Sequence, residues 1–421
     1  MLIIAVAASG MAQSSAAPDA ETQELSRRVA ALESALADVK AELARRSAAE
    51  PTASATPAVA VPTAPPPDLE AAVALPVEDN SHTLGPIQFR GFSDFTYGRP
   101  VLSTLQNTNL VNSTNGFSLG DFDLFTTAKL GEHFSMLGEL LITSDFTNEF
   151  SAEMDRLLLT YAANDYFRIS AGKYNTAIGF YSNEFNRARY FQTATGRPLL
   201  FTDEDDGGIL PVHSIGLTAN GKIPSGELGL HWVAEIANGR GSVSAAALLA
   251  GSAVEPVQNY VDEDNGKAVN FAIYARPSGW NGFQTGVSMY LDREHPLSLA
   301  ALDQRIYSAY AALVRPHLEL MTEGVYLRHE FTTNHDQFNT VSAYAQASYL
   351  FGRIRPYIRY EYQNVPIADP IFGILGRKDG PSVGVRFDLT DFVGLKIQYG
   401  RVGVSNGPTA NDAQAQLAFA F

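Results

Sequence analysis

Apolar and polar side chains alternate along most of the chain from Gly85 to Phe421, and this period-two pattern limits the possible folds more than any other feature. Successive side chains of a β-strand point to opposite faces, so the pattern predicts strands with one apolar and one polar face. Sixteen such strands can be read, near residues 86–98, 117–129, 133–145, 153–163, 165–175, 212–222, 226–237, 267–277, 281–292, 303–315, 316–329, 339–351, 353–364, 381–390, 392–402 and 411–421. Strands of this length, tilted by about 45°, match the thickness of a membrane.

The connections between the predicted strands alternate between tight turns and longer loops. Tight turns occur at residues 131–132 and 163–164, for example, whereas the loops cover 99–116 and 176–211. Barrels of the bacterial outer membrane have short turns at one end and long loops at the other, which a soluble β-sandwich does not require. The sequence therefore predicts an all-β transmembrane barrel of about 16 antiparallel strands, with both barrel ends on the tight-turn side.

Three segments precede the barrel at 85–421. Residues 1–12 are apolar and end in small residues, which predicts a signal peptide. Its basic start is missing, so either the start is truncated or the segment is not a signal peptide. Residues 20–46 predict a coiled-coil helix, and residues 47–84 form an Ala/Pro-rich linker. This helix either associates with copies of itself or lies on its own barrel. Its apolar seam has spacings of four and three residues and consists of Leu25, Val29, Leu32, Leu36, Val39 and Leu43.

Composition excludes several other functions. The chain has no cysteine, and its mean hydropathy of −0.06 comes without a long apolar run that would form a membrane helix. The eight histidines are scattered and form no HExxH motif, so we expect neither a metal nor another cofactor. The net charge of −15 argues against nucleic acid as a partner.

The last strand ends on an aromatic residue. Leu417, Phe419 and Phe421 lie on its apolar face and alternate with polar residues. A terminal aromatic residue on an amphipathic strand resembles the signal that the barrel-assembly machinery recognises. We therefore expect that machinery to be a partner of this chain.

The predicted order of signal sequence, heptad helix, proline-rich linker and terminal barrel resembles the phosphate-selective porin O and P family. Residues 169–174 (Ile-Ser-Ala-Gly-Lys-Tyr) and 235–241 (Glu-Ile-Ala-Asn-Gly-Arg-Gly) resemble strand ends of that family. The resemblance implies a trimeric barrel through which small anions diffuse. A dedicated phosphate channel needs clustered cations, however, and this chain has only seven lysines and many predicted lumen acids, namely Asp121, Asp123, Glu139, Glu319 and Glu323.

Residues out of phase with the apolar rows face the lumen of a barrel. This rule predicts a basic wall made of Arg90, Arg355, Arg359 and Arg386, with pairing to Glu361, Asp388 and Asp94 as the alternative. The loop at 176–211 is the longest, and we expect it to fold into the pore as a constriction rather than remain on the surface. Its charged residues would then face the basic wall; they are Glu184, Arg187, Arg189, Arg197, Asp203, Glu204, Asp205 and Asp206.

The pattern favours an outer-membrane porin that lets small hydrophilic solutes and ions diffuse passively, with a weak preference for anions, and that is not an enzyme. The alternative is a structural barrel that tethers the envelope, or a barrel-embedded enzyme. We expect a homotrimer surrounded by outer-membrane lipid and lipopolysaccharide, with the N-terminal helix and linker in the periplasm.

Overall fold

The computed structural model describes residues 87–98, 116–144, 150–203, 208–240, 266–296, 299–405 and 409–421. The predicted signal peptide, the coiled-coil helix with its seam, and the linker lie outside these described residues.

Sixteen antiparallel strands form one closed barrel, which confirms the predicted fold class. The strands are β1 (Gln88–Gly98), β2 (Gly116–Lys129), β3 (Phe134–Ser144), β4 (Phe150–Asn164), β5 (Phe167–Asn175), β6 (His213–Ile223), β7 (Leu230–Ala237), β8 (Ala268–Ala275), β9 (Phe283–Glu294), β10 (Leu302–Val314), β11 (Leu318–Phe331), β12 (Gln337–Tyr349), β13 (Ile354–Asn364), β14 (Arg377–Asp388), β15 (Val393–Val404) and β16 (Ala410–Ala420). Each pairs with its neighbours in sequence, and β1 pairs with β16 from Phe92↔Ala420 to Gly98↔Gln414. Closure leaves no strand edge unpaired with a neighbour, which a membrane requires.

Every predicted strand is present, and the boundaries differ by a few residues. The largest differences are at β7, which begins at Leu230 instead of 226, and at β14, which begins at Arg377 instead of 381. Before β7 the chain makes a 3-10 helix at Gly226–Leu228 and turns at Gly229, whose φ of 57° favours glycine. The alternation pattern does not report such a turn, because a short amphipathic segment looks the same in both conformations.

The outer surface of the barrel is apolar. Ile358, Val287 and Val383 are about half exposed, as expected for side chains that would face lipid. Exposed aromatic residues lie toward the two ends of the strands. At the tight-turn end they include Phe89, Phe134, Trp280, Phe351 and Phe392, and toward the long-loop end Tyr97, Phe117, Phe150, Tyr307 and Tyr326.

The main hydrophobic core lies inside the barrel. Five of the inward positions of β10 and β11 are apolar and buried, although a water-filled lumen would favour polar residues there. They are Leu302, Ile306, Met321, Val325 and Leu327. Two loops pack against these side chains from within, so part of the lumen is filled with protein.

No helix among the described residues is long and apolar enough to cross a membrane. The described helices are short: α1 (Tyr181–Phe185) and 3-10 helices at Leu199–Phe201, Gly226–Leu228 and Gly373–Leu375. The helix α1 and the first of these 3-10 helices belong to the long connection between β5 and β6. That connection contains the charged residues of the predicted constriction.

Candidate functional site

The described part of the connection between β5 and β6 (residues 176–203 and 208–212, here called the inner loop) runs inside the barrel. Tyr181 and Phe201 stack with ring centroids 5.9 Å apart, and both contact the Tyr344 ring on the inner face of β12. Burial raises the pKa of Tyr181 to about 12. Apolar burial of this extent holds this part of the loop against β10–β12.

Carboxylates of the barrel wall accept hydrogen bonds from backbone N–H groups of the inner loop. Glu323 accepts from Phe180 at 2.5 Å and from Tyr181 at 3.0 Å. Further bonds of the same kind run from Ala177 to Glu235 at 3.1 Å and from Leu199 to Glu361 at 2.6 Å. A bond to a charged acceptor is about twice as strong as a neutral one, so these acids fix the course of the loop.

A glycine allows the loop to approach Glu323. Gly179 has φ 76°, a conformation that other residues rarely adopt. A Cβ atom at this position would overlap the Glu323 carboxylate and the Phe201 ring. The residue that precedes the two bonded N–H groups therefore has to be glycine.

Cations of the wall bind backbone carbonyls of the same loop. Arg386 donates to the carbonyls of Tyr190 at 2.5 Å and Gln192 at 3.2 Å. Lys396 donates to those of Arg189 at 2.6 Å and Ala194 at 3.1 Å, and Arg359 to that of Gly196 at 2.8 Å. Carboxylates of the wall thus accept hydrogen bonds from N–H groups of the loop, and cations of the wall donate to its carbonyls. The loop is therefore a fixed part of the lumen.

The arginines of the inner loop pair with acids. Arg187 contacts Asp155 of β4 at 3.2 Å and Asp203 at 2.9 Å, and Arg197 also contacts Asp203 at 2.9 Å. Burial alone would raise the pKa of Asp203, but Arg187 and Arg197 outweigh it and hold that pKa below its ordinary value. Arg189 reaches Asp121 of β2 at 3.4 Å.

A β-bulge in β4 supplies the acid for this network. The register between β3 and β4 shifts after the pair Glu139↔Arg156, so Asp155 has no partner in the ladder. Asp155 and Arg156 are both buried in the lumen although they are neighbours in sequence. Arg156 pairs with Glu139, and Asp155 accepts from Asn186 of the loop at 2.9 Å.

The charges are arranged differently from the expected acidic loop facing a basic wall. Arg359 and Arg386 bind loop carbonyls, and Asp203 is buried between two loop arginines. Glu204, Asp205 and Asp206 lie outside the described residues. Alternation predicts which way a side chain points, but it does not indicate which group on the folded loop it meets.

The two other predicted wall arginines lie nearer the tight turns. Arg90 of β1 pairs in register with Phe125 of β2, whose ring is buried inside the barrel. Arg355 of β13 donates to Ser348 Oγ at 3.3 Å and to the carbonyl of Pro316 at 2.9 Å. Among the described residues, neither arginine forms an ion pair with a carboxylate.

A cavity of about 380 Å³ remains beside the inner loop. Its wall comes from β2 to β10, and at several heights the wall side chains are small: Thr160, Ser170, Thr218, Ala272 and Ser288. Phe180 and Glu184 of the inner loop line the opposite side, and Glu184 lies 4.0 Å from Arg276. The cavity also touches Gly131 and His133 of a tight turn, so it extends to that end of the barrel.

A second loop also folds inward, and the sequence reading missed it. Residues 365–376 join β13 to β14, and Asp369 accepts from His329 Nδ1 at 2.9 Å inside the barrel. Asp369 also accepts from the N–H groups of Ile371 and Phe372, and the Phe372 ring stacks on His329. The apolar residues at inward positions of β10 and β11, such as Leu302, Ile306 and Leu327, were the available signal, because apolar residues on both faces of a strand predict a packed lumen.

The terminal strand closes the barrel. Leu417 pairs with Phe95 of β1 and with Leu395 of β15, and Phe419 pairs with Ser93 and Val393. Phe421 exchanges both backbone hydrogen bonds with Gly91, at 2.8 and 2.9 Å. The residues of the predicted assembly signal thus lie at the seam between the first and last strands.

Among the described residues, no group of three or more His, Asp or Glu side chains is placed to hold a metal ion. Several buried acids of the lumen bind loop amides or arginines, among them Glu323, Glu361 and Asp155. The arrangement can shape and charge an aqueous path.

Comparison with known proteins identifies the fold. No protein-family model matches the chain, and no curated protein sequence matches it. Among solved structures, OmpF of Salmonella typhi in complex with daunomycin superposes with a TM-score of 0.54 at 13% identity, over 80% of this chain and 97% of that one. The outer-membrane channel DcaP of Acinetobacter baumannii gives 0.54 at 10% identity, over 82% and 100%.

The barrel has a porin fold. The trimer form of OmpT, an outer-membrane protein of Vibrio cholerae, also matches, with a TM-score of 0.50 and 11% identity over 80% of this chain and 100% of that one. At these identities the likeness concerns the fold alone. The narrower similarity to the phosphate-selective porin O and P family therefore remains a resemblance.

Proposed function

We propose that this porin-type barrel is a water-filled channel of the bacterial outer membrane through which small hydrophilic solutes and ions diffuse passively. The cavity beside the inner loop carries the proposal. A closed sixteen-stranded barrel has room for an aqueous path, and here small wall side chains leave a cavity between the inner loop and strands β2 to β10. The loop is bonded to the wall along its length, which favours a permanent constriction over a moving gate.

A weak preference for anions is part of the proposal. Arg90 and Arg355 face the lumen near the tight turns without an ion-paired carboxylate among the described residues, and Arg168 lines the cavity. Rings of cationic side chains favour anions in a pore. Some of the buried acids do not oppose this, because Glu323 binds loop amides and Asp155 binds a loop arginine.

The placement and partners follow from the same proposal. The tight turns would face the periplasm, where the N-terminal helix and linker would lie, and the long loops would face outward. We further propose a homotrimer inserted by the barrel-assembly machinery, in contact with outer-membrane lipid and lipopolysaccharide. The trimeric form of a structurally similar barrel supports the oligomer.

Single-channel conductance in planar bilayers tests the proposal. Ala272→Trp places a large ring in the cavity and should lower the conductance, whereas Ala309→Trp makes the same change on the outward face of β10 and should not. Wild-type protein that inserts as a heat-modifiable barrel without conducting would contradict the channel function.

Two further measurements test the anion preference and the alternative of an envelope-tethering barrel. Reversal potentials in asymmetric salt should shift toward cations when Arg90 and Arg355 are both changed to Gln; an unchanged potential would remove them as selectivity determinants. Deleting residues 20–84 should leave conductance intact. If conductance is absent from the full chain and the deletion abolishes only envelope attachment, the tethering function is the better reading.

A further inference from the structure

Charged side chains are clustered on the outer face of the barrel wall, where most residues are apolar. The outward positions at the long-loop ends of β9, β10 and β11 hold three arginines and two acids. The arginines, here called the outer arginine cluster, are Arg293, Arg305 and Arg328; the acids are Asp303 and Glu330. Their inward neighbours Gln304 and His329 are fully buried in the lumen, which establishes that the cluster faces away from it.

The two acids hold the three guanidinium groups in place. Asp303 contacts Arg293 at 2.7 Å and Arg305 at 3.8 Å, and Glu330 contacts Arg328 at 2.8 Å and Arg305 at 3.8 Å. Arg305 and Arg328 are directly opposed in the ladder, an unfavourable position for two like charges. Since Arg305 makes only the two longer contacts, its charge is the least compensated of the three.

The exposed part of this network is positive. The side chains of Arg293, Arg305 and Arg328 are 55%, 38% and 28% exposed, whereas Asp303 and Glu330 are 26% and 16% exposed. Three positive and two negative charges leave one positive charge, and the guanidinium groups cover the acids. A ligand that approaches the wall from outside therefore meets a fork of guanidinium donors, which suits phosphate oxygens.

The height of the cluster on the wall identifies the kind of ligand. Outward Tyr307 and Tyr326 lie two residues below Arg305 and Arg328, toward the barrel centre. Tyrosine rings collect at the level of lipid headgroups, and arginine side chains extend from the apolar zone toward that level. The cluster therefore lies where the phosphates of a bound lipid would lie.

From this placement we infer that the outer arginine cluster is a binding site for the phosphates of a bisphosphorylated lipid of the outer leaflet. Arg305 and Arg328 bind one phosphate between them and relieve the repulsion of the opposed pair, and Arg293 extends the site along the strand ends. The inference rests on the proposed membrane location but not on conduction.

Native mass spectrometry of the full-length chain tests this site, with diphosphoryl lipid A and the same lipid without phosphates as probes. Arg305→Gln combined with Arg328→Gln should weaken retention of diphosphoryl lipid A at least about tenfold. Arg293→Gln, at the end of β9 and outside the opposed pair, should weaken it less and is the variant least disturbing to folding.

Arg377→Gln is the matched control. Arg377 is 52% exposed but is paired one-to-one with Asp379 at 3.1 Å, so its loss should leave retention unchanged. Three outcomes would overturn the inference: retention unaffected in the double variant, equal retention of the dephosphorylated lipid, or loss of the oligomer with lipid retention intact, which would make the cluster an interface between copies. Full competition by inorganic phosphate would point to free phosphate instead of lipid.

Conductance measured on the same proteins separates the two proposals. The double variant should conduct like the wild type, because the cluster lies outside the lumen. A wild-type barrel that retains diphosphoryl lipid A but does not conduct would contradict the channel and leave the lipid site standing.

Discussion

The ring of the C-terminal residue Phe421 covers Gly91 across the seam that closes the barrel. Each backbone donates to the other, at 2.8 and 2.9 Å, and a Cβ atom at Gly91 would overlap the ring. The same ring contacts Phe122 at 5.8 Å and Phe419 at 6.3 Å between centroids. A residue without a side chain on the first strand thus provides the space in which the last residue closes the sheet.

Gly91→Leu should displace the Phe421 ring and destabilise the closed barrel by about 1–3 kcal/mol, the usual cost of overpacking. The measurement is the temperature at which the heat-modifiable band shifts on a gel. Gly138→Leu is the control, because a Cβ atom at Gly138 would meet its nearest neighbours only at 3.9 Å. Equal shifts for both variants would show that the Gly91–Phe421 contact has no special role.

Glu323→Ala should loosen the first turns of the inner loop. It removes two hydrogen bonds from backbone N–H groups to a buried carboxylate, each worth about 1.5–3 kcal/mol. We expect noisier single-channel current and a higher mean conductance. Thr322→Ala, the adjacent residue on the outward face, should behave like the wild type. Single-channel current of Glu323→Ala that is no noisier than that of the wild type would mean that the loop's other contacts with the wall are enough to hold it.

The inner loop should resist acid because the folded pKa of Asp203 lies below its ordinary value of 3.8. A carboxyl group with a lowered folded pKa stabilises fully above its unfolded pKa, and this contribution is lost as the pH falls through the folded value. The difference in channel noise between the wild type and Asp203→Asn should therefore stay constant from pH 7 to 4 and shrink only below about pH 3.8. Asp203→Asn should be noisy already at pH 7, and a noise rise between pH 7 and 5 in the wild type would assign the response to another group.

Asp369→Ala should release the second inner loop, residues 365–376. The substitution leaves His329 and the N–H groups of Ile371 and Phe372 without their acceptor, and each buried donor left without an acceptor costs about 1–3 kcal/mol. Trypsin should then cut at the end of this loop, after Arg377 or Lys378, with fragments identified by mass spectrometry. Asp336→Ala, in an exposed turn, is the control. Equal resistance of both variants to trypsin would show that Asp369 does not hold this loop in place.

Sequence alternation predicted the strands but not the filling of the barrel. Arg386 and Arg359 were correctly placed on the inward faces of β14 and β13, yet both bind loop carbonyls. Lys396 has the same role and went unnoticed, although Leu395 and Ile397 on either side of it face outward. Arg359 and Arg386 also pair with Glu361 and Asp388 on their own strands, as the alternative prediction had it. The carbonyls that all three cations bind lie on a distant loop, and their position depends on how that loop folds.

The bulge at Asp155 shows more directly what the alternation pattern cannot predict. A strict period of two would put Asp155 and Arg156 on opposite faces, but the extra residue in β4 puts both in the lumen. A one-residue irregularity changes the direction of a side chain and leaves almost no trace in the pattern. The acid that binds Arg187 could therefore be found only in the folded barrel.

The sequence by itself determined the sixteen strands, their closure into a barrel and the division into tight turns and long loops, because each depends on neighbouring residues and on the apolar requirement of a membrane. The tertiary structure decided which part of the lumen is filled, which charges are used to hold the loops and where an aqueous path remains. Those features depend on contacts such as Leu199 with Glu361, between residues far apart in the chain, and local periodicity carries no information about them.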